Sequence, residues 1–438
     1  MNISVFGLGY VGTVSAACFA QRGNHVIGVD INPKKVEIIN SGRSPIIESA
    51  IGEVVAQEVG KGRLKATTDA IEAVRATDLS LICVGTPSHD NGGLDLTFVK
   101  RVCQDIGHAI AGKDRVHTIV LRSTVLPGTT RNIVIPILEQ ASGLVPGKGF
   151  GLSYNPEFLR EGTAISDFYN PPFTVIGELG SEAAEATANL YQDLDAPLVM
   201  VPLEVSEMIK YTCNAFHALK VTFANEVGNL CKSQGIDSHK VMEVFCMDDK
   251  LNLSAYYLKP GFAFGGSCLP KDLRAMLYHS RRLDQHLPVL EAILQSNQLQ
   301  VKRGIEMIIA TGCKSIGMLG FSFKVGTDDL RESPQVEVLE TLLGKGYQIK
   351  IYDSNVSLAR LYGANRAYIE REIPHIATLM CDSIDEVLAQ SDVIVIGNSS
   401  REFSEVLKRA RPDQKVIDLV RILKDSDHID AQYEGICW

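Results

Sequence analysis

The stretch Ile3-Ser4-Val5-Phe6-Gly7-Leu8-Gly9-Tyr10-Val11-Gly12 decides how the first part of the chain folds. A short strand pattern runs directly into a Gly-x-Gly-x-x-Gly turn, and a helical pattern follows the turn without a break. In that context Gly7, Gly9 and Gly12 permit a tight turn and let backbone amides approach a pyrophosphate at a helix N-terminus. The segment therefore predicts a Rossmann-like domain that binds a dinucleotide.

The acidic residue that closes the second predicted strand indicates which dinucleotide binds. Asp30 follows the strand His25–Val29, where its carboxylate can accept hydrogen bonds from both ribose hydroxyls and would repel a 2′-phosphate. NAD is therefore favoured over NADP, although Lys35 nearby offers a counter-charge. FAD and a glycine-rich turn in an unrelated α/β protein are the alternatives, and the chain carries no further flavin motif.

Outward from this turn, strand and helix patterns alternate over about the first 200 residues. Further strands are predicted at 79–84, 118–121, 151–154 and 174–176, which is typical of a parallel α/β sheet. One long helix is predicted from Leu203 to about Ser233, and residues 236–300 have a helical pattern around a glycine-rich segment at 260–270.

The last third of the chain repeats the plan of the first. A strand enters the glycines Gly317 and Gly320, the next strand ends in Asp353, and a third strand pattern follows within 390–397, as one does at 79–84 in the first part. The fold class is therefore predicted to be α/β: two Rossmann-like, doubly wound parallel-sheet domains joined by a helical central domain with a long connecting helix. The expected boundaries are 1–202, 203–300 and 301–438.

Charge and cysteine usage exclude several classes of partner. With a net charge of −9 and no basic stripe, the chain is not expected to bind nucleic acid. Its ten cysteines form no Cys-x-x-Cys pair or Cys/His cluster, so neither a metal site nor a disulfide framework is expected. Cysteines in apolar runs favour a reducing compartment, the cytoplasm. No uncharged run reaches the ~20 residues of a membrane span.

Cys268 differs from the other cysteines in its setting. It lies in Phe262-Ala263-Phe264-Gly265-Gly266-Ser267-Cys268-Leu269-Pro270-Lys271-Asp272, where Pro270 predicts the first turn of a helix. A helix N-terminus and the nearby Lys271 both favour the nucleophilic thiolate over the thiol. Gly265 and Gly266 are expected to leave space for a substrate. Cys268 is thus predicted to be a nucleophile and the other nine cysteines to be buried hydrophobes.

Polar residues of the long helix fall within an arc of about 80° at ~100° per residue: Lys210, Asn214, His217 and Asn225. Apolar residues occupy the opposite side: Val205, Met208, Leu219, Phe223 and Leu230. Lys210 and Asn214, one turn apart, suit an oxyanion hole for a developing alkoxide. A solvated helix face is the alternative, above all for His217 and Asn225.

The stretch Asn155-Pro156-Glu157-Phe158-Leu159-Arg160-Glu161 predicts a loop with two acids after a strand. Glu161 or Asp272 is a candidate for activating the water that cleaves an acyl-enzyme. Solvated surface carboxylates are the alternative for both acids.

Together these segments resemble the UDP-glucose/GDP-mannose dehydrogenase family over nearly the whole chain. The glycine fingerprint carries the resemblance together with residues 83–87, 123–125, 155–161 and 265–272. In the third portion, Phe321-Ser322-Phe323-Lys324 followed by residues 327–333 adds to it. The first domain is then expected to bind NAD, the central one to form a dimer and carry the cysteine loop, and the third to bind a nucleotide sugar.

The resemblance implies roles residue by residue, with Cys268 as the nucleophile. Expected contacts with NAD are Tyr10, Val11, Asp30, Lys35, Thr86, Thr124, Lys271 and Arg331. Expected contacts with the nucleotide sugar are Glu161, Lys210, Asn214, His217, Asn225, Tyr256, Tyr257, Lys259, Phe262, Gly265 and Lys324. A domain-swapped homodimer built on the long helix, or a larger homo-oligomer, is also implied, with residues 256–259 reaching the partner's site.

Within the family, residues 252–262 and the ending Glu434-Gly435-Ile436-Cys437-Trp438 are similar to the branch that acts on GDP-mannose. That branch implies a four-electron oxidation at C6 to GDP-mannuronate, through a thiohemiacetal and a thioester, and a supply for alginate-type polysaccharides. Two positions depart from the branch, which carries arginine where this chain has Ala255 and Lys259. Lysine keeps the charge but loses the planar fork of arginine, so UDP-glucose is the alternative substrate.

Two other functions compete with this interpretation. One is a single-step dehydrogenase of the β-hydroxyacid type, which would use Lys210 and Asn214 only. The other is a non-catalytic nucleotide sensor or scaffold that keeps the Rossmann fold. The presence of Cys268 and Lys271 beside the polar arc argues against the second, because a pure binder needs no activated thiol.

Overall fold

A computed structural model describes residues 1–250, 257–327, 329–356, 376–406, 409–423 and 431–438. The chain divides into two compact units, unit 1 (Met1–Cys213) and unit 2 (Asn214–Trp438). The long helix Leu203–Ser233 begins in the first unit and continues into the second. Each unit contains one sheet of its own.

The strands of unit 1 are β1 Asn2–Phe6, β2 His25–Val29, β3 Leu64–Thr67, β4 Leu79–Ile82, β5 His117–Leu121, β6 Phe150–Tyr154, β7 Thr174–Glu178 and β8 Leu198–Pro202. They form one sheet in the order β3-β2-β1-β4-β5-β6-β7-β8. Neighbours are parallel except β6 and β7. The strand order reverses between β1 and β4, and ligands of open α/β sheets bind outside the carboxyl ends of the strands at such a point.

Helices cover both faces of this sheet: α1 Tyr10–Gln21, α2 Pro33–Asn40, α3 Ile51–Gly60, α4 Ala70–Ala76, α5 Thr97–Ile110, α6 Ile135–Ser142, α7 Ala164–Tyr169 and α8 Ser181–Ala188. A π-helical turn, Thr130–Val134, precedes α6. Side chains of α1, α3 and α7 form one buried core with the strands, and those of α4, α5 and α6 form another. Strands buried on both faces have near-continuous apolar runs, which explains their clear sequence signal.

Unit 2 has a parallel sheet in the order β10-β9-β11-β12-β13, with β9 Ser315–Leu319, β10 Gln348–Tyr352, β11 Val393–Ile396, β12 Lys415–Asp418 and β13 Gln432–Gly435. Its helices are α9 Leu203–Ser233, which starts in unit 1, and α10 Ser238–Phe245, α11 Leu269–Arg282, α12 Pro288–Ala310, α13 Pro334–Gly344, α14 Ile376–Leu379, α15 Ile384–Gln390 and α16 Arg401–Ser404. Side chains of α9, α11 and α12, helices that precede this sheet in sequence, form a core of their own.

The predicted fold class is confirmed: two Rossmann-like sheets with a helical middle, and a long helix with the predicted ends. Four strands escaped prediction: β3, β8, β12 and β13. The expected domain boundary at residue 300 falls inside α12, and the three-domain division stays a prediction. Within the described part of the chain, no helix is long and apolar enough to cross a membrane.

The two sheets repeat one hydrogen-bonding device at their first turn. Asp30 accepts a hydrogen bond from the amide of Leu8 at 2.8 Å, and Asp353 accepts one from the amide of Phe321 at 2.8 Å. In each unit the residue before that amide is a glycine with a positive φ, a conformation that glycine adopts without steric cost. The predicted repeat of one plan therefore extends to individual hydrogen bonds.

The long helix α9 buries its polar arc and exposes much of its apolar side. Lys210, Asn214 and Asn225 are 4%, 7% and 4% exposed. Apolar residues on the other side are 41% to 44% exposed and form the apolar stripe: Val205, Met208, Phe216 and Phe223. The solvated-face alternative for Asn225 is therefore wrong, and a helix with this inverted pattern offers its apolar stripe to a partner.

A buried network of hydrogen-bonded side chains at the amino end of the unit 1 sheet should make the free energy of unfolding depend on pH. The ammonium of Lys113 donates to His117 Nδ1 at 2.8 Å, so this nitrogen carries no proton and the ring is neutral. The other nitrogen, Nε2, lies 2.7 Å from Ser80 Oγ and donates to it. Burial, then the charge of Lys113, lowers the pKa of His117 to about 3. Folding thus favours the neutral ring, and its stabilisation is complete above the unfolded pKa of ~6.5 and is lost as the pH falls towards 3.

We expect the free energy of unfolding to fall by about 2 kcal/mol between pH 7 and pH 5 through this group. Urea denaturation of the wild-type chain and of His117→Gln at both pH values measures it. The variant cannot titrate at this position, so it should lose less stability over that interval; an equal loss in both proteins would contradict the assignment.

Candidate active site

The carboxyl edge of the unit 1 sheet gathers the predicted dinucleotide residues. The glycine turn follows β1, Thr86 lies beyond β4 and Thr124 lies beyond β5. The hydroxyl of Thr86 donates to the carbonyl oxygen of Thr124 at 2.8 Å, which ties the two loops together. These residues therefore lie at the point where the strand order reverses.

The glycine turn itself is built for close approach of a ligand. A Cβ at Gly12 would lie 1.8 Å from the carbonyl oxygen of Gly7, so only glycine lets α1 start against the turn. A Cβ at Gly9 would meet no atom within 4 Å, which shows that this side of the turn is open. Val11 packs against the core behind it. Open backbone at the N-terminus of α1 fits the pyrophosphate of a dinucleotide.

Asp30 is held in place by the protein at the end of β2. Its carboxylate accepts hydrogen bonds from the amides of Leu8 and Asn32 at 2.8 and 2.9 Å. The ammonium of Lys35 lies 3.3 Å from the same carboxylate. Lys35 is therefore engaged by Asp30, which favours a ribose with free hydroxyls over a 2′-phosphate at this position.

The side chain of Tyr10 is turned towards a carboxylate that the sequence did not reveal. Its hydroxyl donates to Glu48, which also accepts hydrogen bonds from the amides of Gly162 and Ala164 at 2.7 and 3.3 Å. Burial and the neighbouring Glu48 raise the pKa of Tyr10, so the phenol stays protonated. Tyr10 thus ties the glycine turn to the loop that carries Glu161. No motif surrounds Glu48, and only its burial in the fold marks it.

Lys210 pairs with Glu157, an acid to which the sequence interpretation gave no role. The ammonium of Lys210 lies 3.0 Å from Glu157 Oε1, and the two side chains are 5% and 8% exposed. The amide of Leu159 donates to the other carboxylate oxygen at 2.8 Å. Glu161, the acid predicted to act, is partly buried in the same loop. The signal for Glu157 was present, because the loop carries two acids four residues apart.

In unit 2, Asp272 joins two of the predicted residues. Asn214 donates to one carboxylate oxygen of Asp272 at 2.5 Å, and the ammonium of Lys271 lies 2.7 Å from the other. Asp272 is 1% exposed, and its own amide donates to the carbonyl oxygen of Cys268 at 2.9 Å. Asp272 therefore orients both Asn214 and Lys271.

Cys268 occupies the N-cap position of α11, and Pro270 lies in the first turn of that helix, as predicted. Among the ten cysteines, all of which the structure describes, Cys268 alone is exposed, while the others are buried or partly buried. The hydroxyl of Ser267 lies 3.8 Å from its sulfur. Among the described residues, no group of three or more His, Cys, Asp and Glu side chains is suited to a metal ion.

The space beside Gly265 and Gly266 is filled by the protein. A Cβ at Gly265 would lie 2.4 Å from the carbonyl oxygen of Glu332, and one at Gly266 would lie 2.8 Å from the ring of Phe323. The expectation that these glycines leave room for a substrate is therefore wrong. They let the segment before Cys268 pack directly against Glu332 and Phe323 of the same unit.

Several predicted sugar contacts are engaged inside unit 2. The ring of His217 stacks on that of Tyr257 with centroids 4.9 Å apart. Asn225 binds the backbone of Gly261 and Phe262. The ring of Phe262 is 9% exposed and belongs to the core beneath the second sheet. Phe262 therefore acts first as a packing residue.

The predicted cations of unit 2 are Lys259, Lys324 and Arg331. Lys259 is exposed and lines a cavity of about 1350 Å³, whose other lining residues include Lys232, Lys240, Arg421, Tyr433 and Trp438. Arg331 forms an ion pair with Asp329 at 2.5 Å, and Lys324 is partly buried. Tyr256 and Ala255 lie outside the described residues.

Comparison with known proteins identifies the family. Three models of the UDP-glucose/GDP-mannose dehydrogenase family match in order: the NAD binding domain at residues 1–195, the central domain at 204–299 and the UDP binding domain at 317–425. The chain belongs to this family. The predicted membership is confirmed, and so is NAD as cofactor, because the NAD binding domain of the family contains the glycine turn and Asp30.

Individual family members agree over the full chain. A GDP-mannose 6-dehydrogenase of Pseudomonas putida is 52% identical over 438 residues, covering all of both chains. A GDP-mannose dehydrogenase of Pseudomonas aeruginosa, solved as a ternary complex, is 51% identical with a TM-score of 0.58, covering 100% of both chains. A UDP-glucose dehydrogenase of Pyrobaculum islandicum is 34% identical with a TM-score of 0.89, covering 100% of this chain and 97% of that one.

Proposed function

We propose that this family member oxidises the C6 hydroxymethyl group of GDP-mannose to a carboxylate in two NAD-dependent steps, giving GDP-mannuronate. The observation that carries the sugar assignment is the full-length identity of 52% to a GDP-mannose 6-dehydrogenase, against 34% to a UDP-glucose enzyme. The exposed Cys268 at the start of α11 supports the two-step route. The product would suit alginate-type polysaccharides.

The first oxidation needs donors for an alkoxide. NAD, which the glycine turn and Asp30 would hold, would accept one hydride from C6 in each of the two oxidations. The ammonium of Lys210 and the amide of Asn214 would donate hydrogen bonds to the C6 oxygen as its proton passes to water. Glu157 and Asp272 hold these two donors at 3.0 and 2.5 Å. Donors fixed in advance cost no reorganisation when the negative charge develops.

Cys268 would retain the aldehyde. Its thiolate adds to C6, a C–S bond forms, and the former carbonyl oxygen takes a proton to give a thiohemiacetal. Loss of the second hydride and of the hydroxyl proton gives a thioester. Water then adds, the C–S bond breaks, and the thiolate leaves as the carboxylic acid forms. Asp272 is buried, whereas Glu161 is partly exposed and so within reach of water; we therefore assign activation of this water to Glu161.

UDP-glucose is the second candidate substrate. The higher TM-score, 0.89, belongs to a UDP-glucose dehydrogenase, and Lys259 replaces an arginine expected of the GDP-mannose branch. A single-step oxidation is not favoured, because it would leave the exposed thiol at the start of α11 without a role.

The test is the amount of NADH formed at limiting sugar. We expect two NADH per GDP-mannose and none from UDP-glucose, because the aldehyde is oxidised before it can leave. One NADH per sugar would end the two-step route. Activity confined to UDP-glucose would keep the route and change the substrate.

A homodimer on α9 is part of the proposal. The apolar stripe, with Phe216 and Phe223 at 41% and 44% exposure, supports a second copy of this chain as the partner. Sedimentation should show a dimer that Phe216→Glu/Phe223→Glu converts to monomers; a monomeric wild-type chain would contradict this.

The catalytic thiol must be reduced, so we place the enzyme in the cytoplasm, which cell fractionation checks.

A further inference from the structure

Side-chain amides bind the backbone of residues 261–264, here called the approach segment, which leads towards Cys268. Asn225 of α9 accepts a hydrogen bond from the amide of Gly261 at 2.9 Å and donates to the carbonyl oxygen of Phe262 at 3.1 Å. The approach segment belongs to neither a helix nor a strand. Its buried backbone groups therefore need side-chain partners, and Asn225 supplies two of the bonds.

Helix α12 supplies two more amides from one face. Asn297 accepts from the amide of Phe264 at 2.9 Å and donates to its carbonyl oxygen at 2.9 Å, the pair of bonds that a neighbouring antiparallel strand would make. Gln300, one turn further along, donates to the carbonyl oxygen of Gly261 at 2.6 Å. Asn225, Asn297 and Gln300 together form what we call the amide clamp.

The burial of the amide clamp indicates a positioning role. Asn225 and Gln300 are 4% and 3% exposed, and a buried amide is costly unless its hydrogen bonds are made. Apolar side chains at these positions would bury as much surface without that cost. Directional bonds fix the register of the approach segment, which apolar contacts alone do not.

Little chain separates the amide clamp from the thiol. Just after Phe264, the amide of Gly266 donates to the carbonyl oxygen of Glu332 at 3.3 Å. Cys268 then caps α11 and is held there by the amide of Asp272 at 2.9 Å. A shift of the approach segment is therefore passed to the sulfur, and a 1 Å misplacement of a reacting group costs ~10²-fold in rate.

We propose that Asn297 and Gln300 are positioning residues for the nucleophile: with Asn225 they fix the approach segment, so that the sulfur of Cys268 meets the aldehyde carbon before the aldehyde leaves. The inference rests on the proposed function, in which Cys268 is the nucleophile. Neither residue is bonded to Cys268, and both act through the backbone.

Asn297→Ala tests the proposal, with Ser296→Ala as the matched control. Ser296 donates to Glu226 at 2.6 Å between the same two helices but does not bind the approach segment. We expect Asn297→Ala to lower kcat by roughly 10- to 100-fold with the KM for NAD unchanged. NADH per sugar should fall below two, with free aldehyde trapped by semicarbazide, and Ser296→Ala should behave as wild type.

Alkylation of Cys268 by iodoacetamide, without substrate or NAD, gives the second measurement. The rate is taken as the difference between each protein and its Cys268→Ser counterpart, and Asn297→Ala should react more slowly because the thiol leaves its N-cap position. If Asn297→Ala does not fold, Gln300→Met serves in its place. An unchanged alkylation rate in the folded variant, or an equal effect of Ser296→Ala, overturns the proposal. A wild-type chain that oxidises neither nucleotide sugar defeats the proposed function instead, and the alkylation rates still test the clamp.

Discussion

Cys268→Ser should lose carboxylate formation by roughly 10³-fold or more, since a neutral serine hydroxyl is a far weaker nucleophile than a thiolate. The first oxidation uses Lys210 and Asn214 and should survive in part. The variant should therefore release an aldehyde and form at most one NADH per sugar. Mass spectrometry of the products at limiting GDP-mannose, run beside NADH absorbance, measures both quantities.

The substitution is a clean probe because Cys268 is exposed and contributes little packing. The urea midpoint for unfolding of the Cys268→Ser variant should match that of the wild-type chain. Cys313→Ser is the matched control, since that partly buried thiol donates only to the carbonyl oxygen of Thr311, at 3.7 Å, among the described residues. Two NADH per sugar from Cys268→Ser would remove the covalent route, because the second oxidation would then proceed without the thiol.

Features set by neighbours in sequence were predicted well. The glycine turn at Gly7 and the start of α11 at Pro270 depend on a few adjacent residues, whose backbone preferences do not need the rest of the fold. The ends of α9 were predicted for the same reason, because its first and last turns carry their own signals. The strands buried on both faces were found through their apolar runs.

Features that depend on partners distant in sequence were not predicted. Glu48 meets Tyr10 across 38 residues, and Glu157 meets Lys210 across 53 residues of chain. Glu48 has no local signal, and the two acids four residues apart in the loop of Glu157 do not show which of them meets Lys210. The burial pattern of α9 also depends on distant partners. Its polar arc is buried because Lys210 pairs with Glu157 and Asn214 donates to Asp272. Periodicity alone would instead predict that the apolar side of the helix is buried.

The strands that escaped prediction are those with weak patterns. β8 includes Leu198, Val199 and Met200, which are 37% to 40% exposed, and ends in Pro202, so it lacks the signature of a buried strand. β3 and β13 are short and carry charged residues. Pairing with a neighbour already in the sheet makes them strands, and that pairing is a property of the assembled fold.

Lys210→Met should affect both activity and stability, since Lys210 has two tasks. As a donor to the C6 oxygen, its loss should lower kcat by ~10²- to 10³-fold. As the partner of Glu157, its loss leaves a carboxylate at 8% exposure without its cation, which should cost about 3–5 kcal/mol of unfolding free energy. Methionine keeps most of the side-chain length but removes the ammonium, which lies 5.4 Å from the centre of the Phe158 ring. Steady-state kinetics and urea denaturation measure the two effects separately.

The double variant Glu157→Gln/Lys210→Met separates the two tasks, because it removes both charges of the buried pair. Replacing a whole buried pair is often close to neutral, so this double variant should regain most of the stability that Lys210→Met loses. It should not regain activity, since the ammonium that we propose as a donor to the C6 oxygen is absent. Recovery of both stability and turnover would mean that Lys210 only balances Glu157, and the alkoxide would then depend on Asn214. Recovery of stability alone assigns the ammonium of Lys210 to the chemistry and Glu157 to holding it.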